Sequence, residues 1–134
     1  MKRNLFFGVF SVFMLAGCAI QPTPDELFSC RSKIGDYVGH DEAESIIRDW
    51  FRYRLKDPYS ADYNIGRPQE GYMKDAIIFG GKLHCGYVVD VSVNAKNSYG
   101  GYTGFQNYKF IINQKRIEVA YKQDPQYGTF MPVY

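Results

Sequence analysis

The chain has 134 residues, enough for one small domain. Hydrophobic residues make up 46% of it and aromatic residues 17%, a composition typical of a globular protein. The formal net charge is +2, and removal of a leader carrying Lys2 and Arg3 takes the 16 basic residues to 14, equal to the 14 acidic ones. A generic nucleic-acid binder carries a strong basic excess, so that class is excluded and no nucleic acid is expected as a partner.

The first 17 residues have the layout of a secretory signal. Lys2 and Arg3 give it a positive start, and Leu5 to Leu15 form an apolar run. That run is too short to cross about 30 Å of hydrocarbon as a permanent helix. The sequence Leu15-Ala16-Gly17-Cys18 follows, and it resembles the lipobox of bacterial lipoproteins.

The lipobox resemblance implies cleavage before Cys18, diacylglycerol on its thiol and acylation of the new amino terminus. The alternative is an ordinary signal with a chance cysteine. Two or three acyl chains anchor a protein stably to a membrane. By family analogy, Ala19 in place of an aspartate indicates the outer membrane, and of its two faces we favour the periplasmic one. The expected organisation is a signal peptide in residues 1–17, a lipidated tether in residues 18–23 and one domain in residues 24–134.

Two further cysteines, Cys30 and Cys85, remain once Cys18 is acylated. In an oxidising compartment we expect them to form a disulfide. The alternatives are two buried free thiols, or a reactive thiol at Cys85 beside His84.

A short helix is predicted in TPDELFSCRSKI, where Thr23, Pro24 and Glu26 form a capped start. A longer helix is predicted in DEAESIIRDWFRYRLKDP, with a second capping box at Asp41 and Glu44 and a stop at Pro58. Its apolar stripe recurs at helical spacing in Ala43, Ile46, Ile47, Trp50 and Tyr53.

The hydrophobic period changes to two after Pro58, which predicts strands. KLHCGYVVDVSVNA alternates clearly and points Cys85 inward, while FQNYKFIIN and RIEVAYK follow after short turns. Short turns join antiparallel strands, and a sheet with one apolar face needs a cover. The predicted fold class is therefore α+β in two layers, an antiparallel meander of three to four strands covered by one long and one short amino-terminal helix.

Catalytic and metal-binding signatures are nearly absent from the sequence. His40 and His84 are far apart, and the chain has neither an HExxH nor a paired CxxC pattern. The sequence offers one weakly supported alternative, in which the carboxylates of Asp75, Asp90 and Glu118 converge on the solvent face. We therefore expect a protein without catalytic residues, metal or cofactor.

Arg54 falls on the apolar face of the long helix. One interpretation places its head on the last helical carbonyls, or on Asp57 or Asp62. The other exposes it beside a groove, where it binds an anion.

The segment NAKNSYGGYTGF contains three glycines and three aromatic residues. A phosphate-binding P-loop needs a lysine and a hydroxyl after its last glycine and a helix behind them, whereas Phe105 and a strand follow Gly104. Gly100-Gly101 predicts a hairpin bend, and Gly104 predicts a bulge or a close backbone approach. The aromatic residues of the loop, together with Arg54, are the predicted contact surface, because loop aromatics form flat contact areas for peptide or sugar. The aromatic members are Tyr99, Tyr102 and Phe105.

The segments LKDPYSADY and CGYVVDVSVNAKNSYGGYTGF resemble a module of small, mostly uncharacterised bacterial envelope lipoproteins. The resemblance covers roughly residues 41–112 and implies the α+β fold and the envelope compartment, without catalytic residues. We therefore expect a non-catalytic interaction or accessory module that is bound to the membrane by its lipid and contacts an envelope protein partner. The alternative is a module that binds cell-wall glycan or peptide, with peptidoglycan as the ligand.

Overall fold

The computed structural model describes residues 21–134, so the predicted signal peptide and the lipidation site Cys18 lie outside the described residues. Two α-helices come first, α1 (Pro24–Arg31) and α2 (His40–Arg52). Six strands follow: β1 (Asp62–Ile65), β2 (Gln69–Lys74), β3 (Leu83–Lys96), β4 (Tyr102–Asn113), β5 (Arg116–Gln123) and β6 (Phe130–Val133). Two 3-10 turns, Pro58–Ser60 and Ile77–Phe79, precede β1 and β3.

The strands form one antiparallel sheet in the order β1-β3-β4-β5-β6, with β2 also paired to β3. β1 pairs with the second half of β3 and β2 with the first half, so both lie along the same edge of β3. The α+β class is confirmed. The sheet has six strands where three to four were predicted, because β1, β2 and β6 are short strands without a fully buried residue.

Both helices are shorter than predicted. The capping box of α1 is present, with Thr23 and Glu26 bonded to each other's backbone. The box predicted at Asp41 is wrong, because α2 begins at His40 after Gly39, which makes no side-chain cap. α2 also ends at Arg52, well before Pro58, since the amide groups of Arg54 and Leu55 both bond the Phe51 carbonyl and close the last turn.

The main core lies between α2 and one face of the sheet. Its centre is aromatic: Phe51 packs edge-on against Tyr108 at 5.1 Å, and Trp50 packs on Phe110 at 5.2 Å between ring centroids. The inward residues of β3 complete this core: Tyr87, Val89, Val91 and Val93. Tyr53 was predicted in the apolar stripe but is 82% exposed, because it lies at the carboxyl cap of α2, beyond the last helical turn.

A second, smaller core covers part of the other face of the sheet. Ile111, Val119 and Tyr121 are buried there, against the partly buried Met73, Val88 and Phe130. A register shift in β4 occurs at the step from Ile111 to Ile112. These two neighbouring isoleucines are both fully buried, one in each core.

A disulfide joins Cys30 of α1 to Cys85 of β3, as predicted, with 5.6 Å between the Cα atoms. Both alternatives, free thiols or a reactive Cys85, are therefore wrong. None of the described residues of α1 is buried. Because α1 contributes so little to the core, the disulfide is its principal attachment to the sheet.

Removal of the disulfide should strongly destabilise the domain. The cysteines are 55 residues apart, and closing a loop of that length contributes about 4 kcal/mol in the chain-entropy model. We expect C30S/C85A to lose about that much free energy of unfolding in a urea titration. Reductant should lower the stability of the wild type to a similar degree and leave the variant unchanged. Equal stability of oxidised wild type and variant contradicts this prediction.

Candidate functional site

The bend between β3 and β4 is a tightly hydrogen-bonded turn centred on Asn97. The side-chain oxygen of Asn97 accepts from the backbone amides of Tyr99 at 2.9 Å and Gly101 at 3.1 Å. The backbone amide of Asn97 donates to the Gly101 carbonyl at 2.8 Å. Gly100 has a φ of 80°, a conformation that favours glycine. The predicted hairpin bend is therefore confirmed, and its tip has a defined conformation.

Gly104 also has a positive φ, of 90°, near the register shift that separates Asn94 from Lys96 on β3. Its amide donates to the side-chain oxygen of Asn94 at 3.0 Å. A Cβ at this glycine would meet no atom of the described residues within 4 Å. Gly104 therefore serves the irregular pairing that was predicted, and the close backbone approach is wrong.

The three rings of this segment point outward. Tyr99 is 97% exposed, Tyr102 49% and Phe105 61%. The Tyr102 hydroxyl donates to the Ser60 carbonyl at 2.9 Å, which fastens the hairpin to the 3-10 turn Pro58–Ser60. That turn carries Tyr59, which is also largely exposed. Tyr59, Tyr99, Tyr102 and Phe105 are called the hairpin surface below.

Tyr59 was missed as a candidate because it is distant in sequence from the glycine-rich segment. Its only sequence signal is the Asp57-Pro58 step, where Pro58 starts a 3-10 turn and Asp57 accepts from the Ser60 amide and hydroxyl. Phe105 borders a shallow groove of about 320 Å³, whose other walls include Asn107, Lys122 and Gln123.

Arg54 lies apart from the hairpin surface. Its guanidinium stacks on Trp50 at 4.0 Å from the ring centroid and donates to the Trp50 carbonyl at 3.2 Å. This contact fits the predicted bond to a carbonyl near the helix end, with Trp50 as the partner and not Asp57 or Asp62. Arg54 also borders a groove of about 310 Å³ that reaches His84 and Glu118.

A polar cluster is buried beneath that groove, and we call it the His84 cluster. His84 Nε2 lies 3.1 Å from Asp75 Oδ2, and Nδ1 lies 3.2 Å from Glu118 Oε1. The Tyr121 hydroxyl donates to Asp75 Oδ1 at 2.5 Å. His84 and Asp75 are only 5% and 7% exposed. Such buried polar groups are tolerated because each finds a partner.

The surroundings of the cluster shift the pKa values of two of its members, Glu118 and Tyr121. Burial by itself raises the pKa of Glu118, but hydrogen bonds from His84 and Lys82, together with the positive charge of Lys82, outweigh it and hold that pKa below its usual range. Burial, and then the hydrogen bond to Asp75 and its negative charge, raise the pKa of the Tyr121 hydroxyl. Tyr121 therefore stays protonated and continues to donate to Asp75.

The predicted convergence of three acids on the solvent face is wrong. Asp75 is buried, Glu118 joins it only through His84, and Asp90 forms an ion pair with Lys109 elsewhere on the sheet. Both imidazole nitrogens of His84 already face carboxylates. Because its members bond to one another, the cluster forms an internal hydrogen-bonded network.

Within residues 21–134, no group of three or more His, Cys, Asp or Glu side chains is arranged to hold a metal ion. In that same part of the chain, no helix combines the length and apolar character needed to span a bilayer. Comparisons with protein-family models, with curated proteins and with solved structures found no match.

Substitution of Glu118 by glutamine should destabilise the domain in a pH-dependent way. The pKa of Glu118 is lower in the folded protein than the value of 4.5 that is usual for a glutamate, so its contribution to stability is full above that value and is lost as pH falls through the folded pKa. We expect Glu118→Gln to lose about 1 kcal/mol at pH 7, since the carboxylate is only partly buried.

Urea titrations of wild type and variant at a series of pH values measure this difference, which should shrink toward zero in acid. Glu42→Gln is the matched control, because Glu42 pairs with Lys115 on the surface at 3.1 Å. The free energy of unfolding of Glu42→Gln should fall by at most about 0.5 kcal/mol. If the free energies of unfolding of Glu118→Gln and wild type differ by the same amount from neutral to acidic pH, the role assigned to the Glu118 carboxylate is contradicted.

Proposed function

We propose that this protein is a lipid-anchored envelope protein that acts without catalysis and presents the hairpin surface to a protein partner in an envelope complex. The observation that carries the proposal is the set of four exposed aromatic side chains at one end of the sheet. The lipobox supplies the compartment, and the envelope lipoprotein resemblance agrees with it. The outer membrane is the proposed location, with the domain on the periplasmic side.

Exposed tyrosines suit a contact role because they bring large, rigid, amphipathic area at a low cost in side-chain entropy. Tyr102 is held by its bond to Ser60, and the turn that carries Tyr99 is held by the side chain of Asn97. A partner therefore meets a surface whose backbone is already ordered. Aromatic residues of this kind often dominate the binding energy of an interface.

The hairpin surface also lies far from the tether. β3 has 14 residues, which at about 3.3 Å per residue give a strand of about 45 Å. The hairpin bend follows its last residue, whereas α1 is joined near its first residues by the Cys30–Cys85 bond. A domain anchored through α1 thus directs the hairpin surface away from the anchor.

A glycan-binding role is the second candidate, and the groove beside Phe105 favours it. An exposed ring bordered by Asn107, Lys122 and Gln123 combines a stacking face with hydrogen-bonding groups, as sugar-binding sites do. Pulldown with purified peptidoglycan separates the two candidates. Retention of the wild type, with loss on Phe105→Ala, supports the glycan role.

Cys18→Ala should abolish lipid attachment. We expect loss of metabolic labelling with radioactive palmitate, and release of the protein from the membrane fraction. The C30S/C85A variant is the matched control, because it lacks the other two cysteines and should keep the label. Ala19→Asp should move the protein from the outer to the inner membrane in a density gradient. Labelling that survives Cys18→Ala overturns the anchor.

A photo-crosslinking amino acid at position 99 or 59 should capture one discrete protein in intact cells. The same amino acid at position 37 is the control, since Tyr37 is 70% exposed but packs on Tyr87 in the first half of β3, away from the hairpin bend. We expect Tyr102→Ala to weaken the complex by about 1–2 kcal/mol, roughly tenfold, and to reduce the adduct accordingly. Equal capture from all three positions, or none, contradicts a specific partner at the hairpin surface.

A further inference from the structure

The loop between β2 and β3 exposes apolar side chains at its tip, which is formed by the 3-10 turn Ile77–Phe79. Ile77 is 69% exposed, Ile78 84% and Phe79 38%. Isoleucine is among the residues most often buried in soluble domains. Residues 76–81 are called the apolar loop below, and the described residues, 21–134, leave their apolar tip uncovered.

The apolar loop is internally hydrogen-bonded. The amide of Phe79 donates to the Ala76 carbonyl at 2.8 Å, that of Gly80 to the Ile77 carbonyl at 2.9 Å, and that of Gly81 to the Ala76 carbonyl at 3.2 Å. Below the tip, the Asp75 amide donates to the Lys82 carbonyl at 2.8 Å, and Asp75 itself is buried in the His84 cluster. The exposed isoleucines are thus held in place from both sides of the loop.

The apolar loop and the start of α1 lie at the same end of the domain. Cys30 is bonded to Cys85, and Glu26, one helical turn earlier, pairs with Lys74 at 3.3 Å. Lys74 lies opposite Leu83 in the sheet, closer to the apolar loop than Cys85 is. α1 therefore runs toward the loop in its amino-terminal direction. From Thr23 back to Cys18 the chain reaches at most about 18 Å at full extension.

We propose that the apolar loop inserts its tip into the bilayer that holds the acyl chains of Cys18. This inference rests on the proposed lipid anchor and adds a second point of membrane contact. A short tether keeps the tip at high effective concentration near the lipid, so a weak individual affinity suffices. Unbonded backbone groups are costly in hydrocarbon, and the internal bonds of the Phe79, Gly80 and Gly81 amides reduce that cost for a shallow insertion.

The charge at the base of the apolar loop also fits a membrane interface. Lys82 directly follows the loop; its ammonium pairs with Glu118 at 3.2 Å, and its side chain is still 65% exposed. A lysine there keeps its ammonium at the level of the headgroups while the isoleucines reach the acyl chains. Two points of contact orient the domain, which a single lipid anchor does not do.

The test places an environment-sensitive fluorophore at position 78 of the full lipidated protein. Of the chain's three cysteines, Cys18 is acylated under the proposal and Cys30 is bonded to Cys85, so Ile78→Cys supplies the thiol to be labelled. The labelled protein is reconstituted into phosphatidylethanolamine–phosphatidylglycerol vesicles. We expect a blue shift of the emission, and loss of intensity with doxyl-labelled lipid. A probe at position 127 is the matched control and should stay in water.

A second variant, Ile77→Asp, should return the probe at position 78 to the emission of the aqueous control, because a carboxylate at the tip opposes insertion. Protein that does not float with the vesicles overturns the anchor and with it this inference. Protein that floats while the probe at position 78 stays in water overturns the loop contact alone. Shielding that persists in detergent micelles and falls on dilution indicates a second copy of the chain. Shielding of the probe at position 78 that is seen only in cells indicates a protein partner. Either result, a second copy or a protein partner, overturns bilayer insertion.

Discussion

The position of α1 depends on the covalent bond between Cys30 and Cys85. Its described residues contribute no buried side chain to the core, and its ion pair with Lys74 is a partly exposed contact between flexible side chains. Such pairs are worth little in water. The disulfide therefore determines where the chain ahead of α1 leaves the domain, and with it which end of the sheet would lie near the proposed anchor.

β3 is the element to which these features are attached. It pairs with β1 and β2 along one edge and β4 along the other, and its inward residues form the main core beneath α2. Its outward side carries His84, whose buried contacts join β3 to the residues before it and to β5. The apolar loop precedes this strand and the hairpin bend follows it. A single strand thus connects the two exposed surfaces to which we assign different partners.

The sequence was informative wherever a local pattern determined the structure. The alternation of β3, the pairing of Cys30 with Cys85 and the bend at Gly100 depend on neighbouring residues or on simple elimination. β2 was missed because it lies at the sheet edge with Gly71 in its middle and little buried surface. The exposure of the short apolar run Ala76 to Phe79 was not predictable, since hydrophobicity alone does not distinguish a buried segment from an exposed one.

The site was predictable only in part. The hairpin bend was predictable, but whether Tyr99, Tyr102 and Phe105 face solvent or core was not. The addition of Tyr59 depends on a hydrogen bond between residues 42 positions apart. The His84 cluster likewise joins Asp75 to Tyr121 across 46 positions. Contacts at such separations follow from strand register and sheet twist, which no short motif encodes. The sequence left Arg54 with two environments, a bond near the helix end or exposure beside a groove. The choice depends on where α2 ends, which helical periodicity alone does not give.

The disulfide also has a mechanical consequence. Tension applied at the proposed lipid tether would reach Cys30 through α1 and pass across the bond directly into β3, the strand with the most pairing partners. The residues between the two cysteines, including α2, β1 and β2, lie inside a closed covalent loop and carry none of that tension. Force from the tether is therefore shared along the centre of the sheet, and it does not peel the chain away element by element from its beginning.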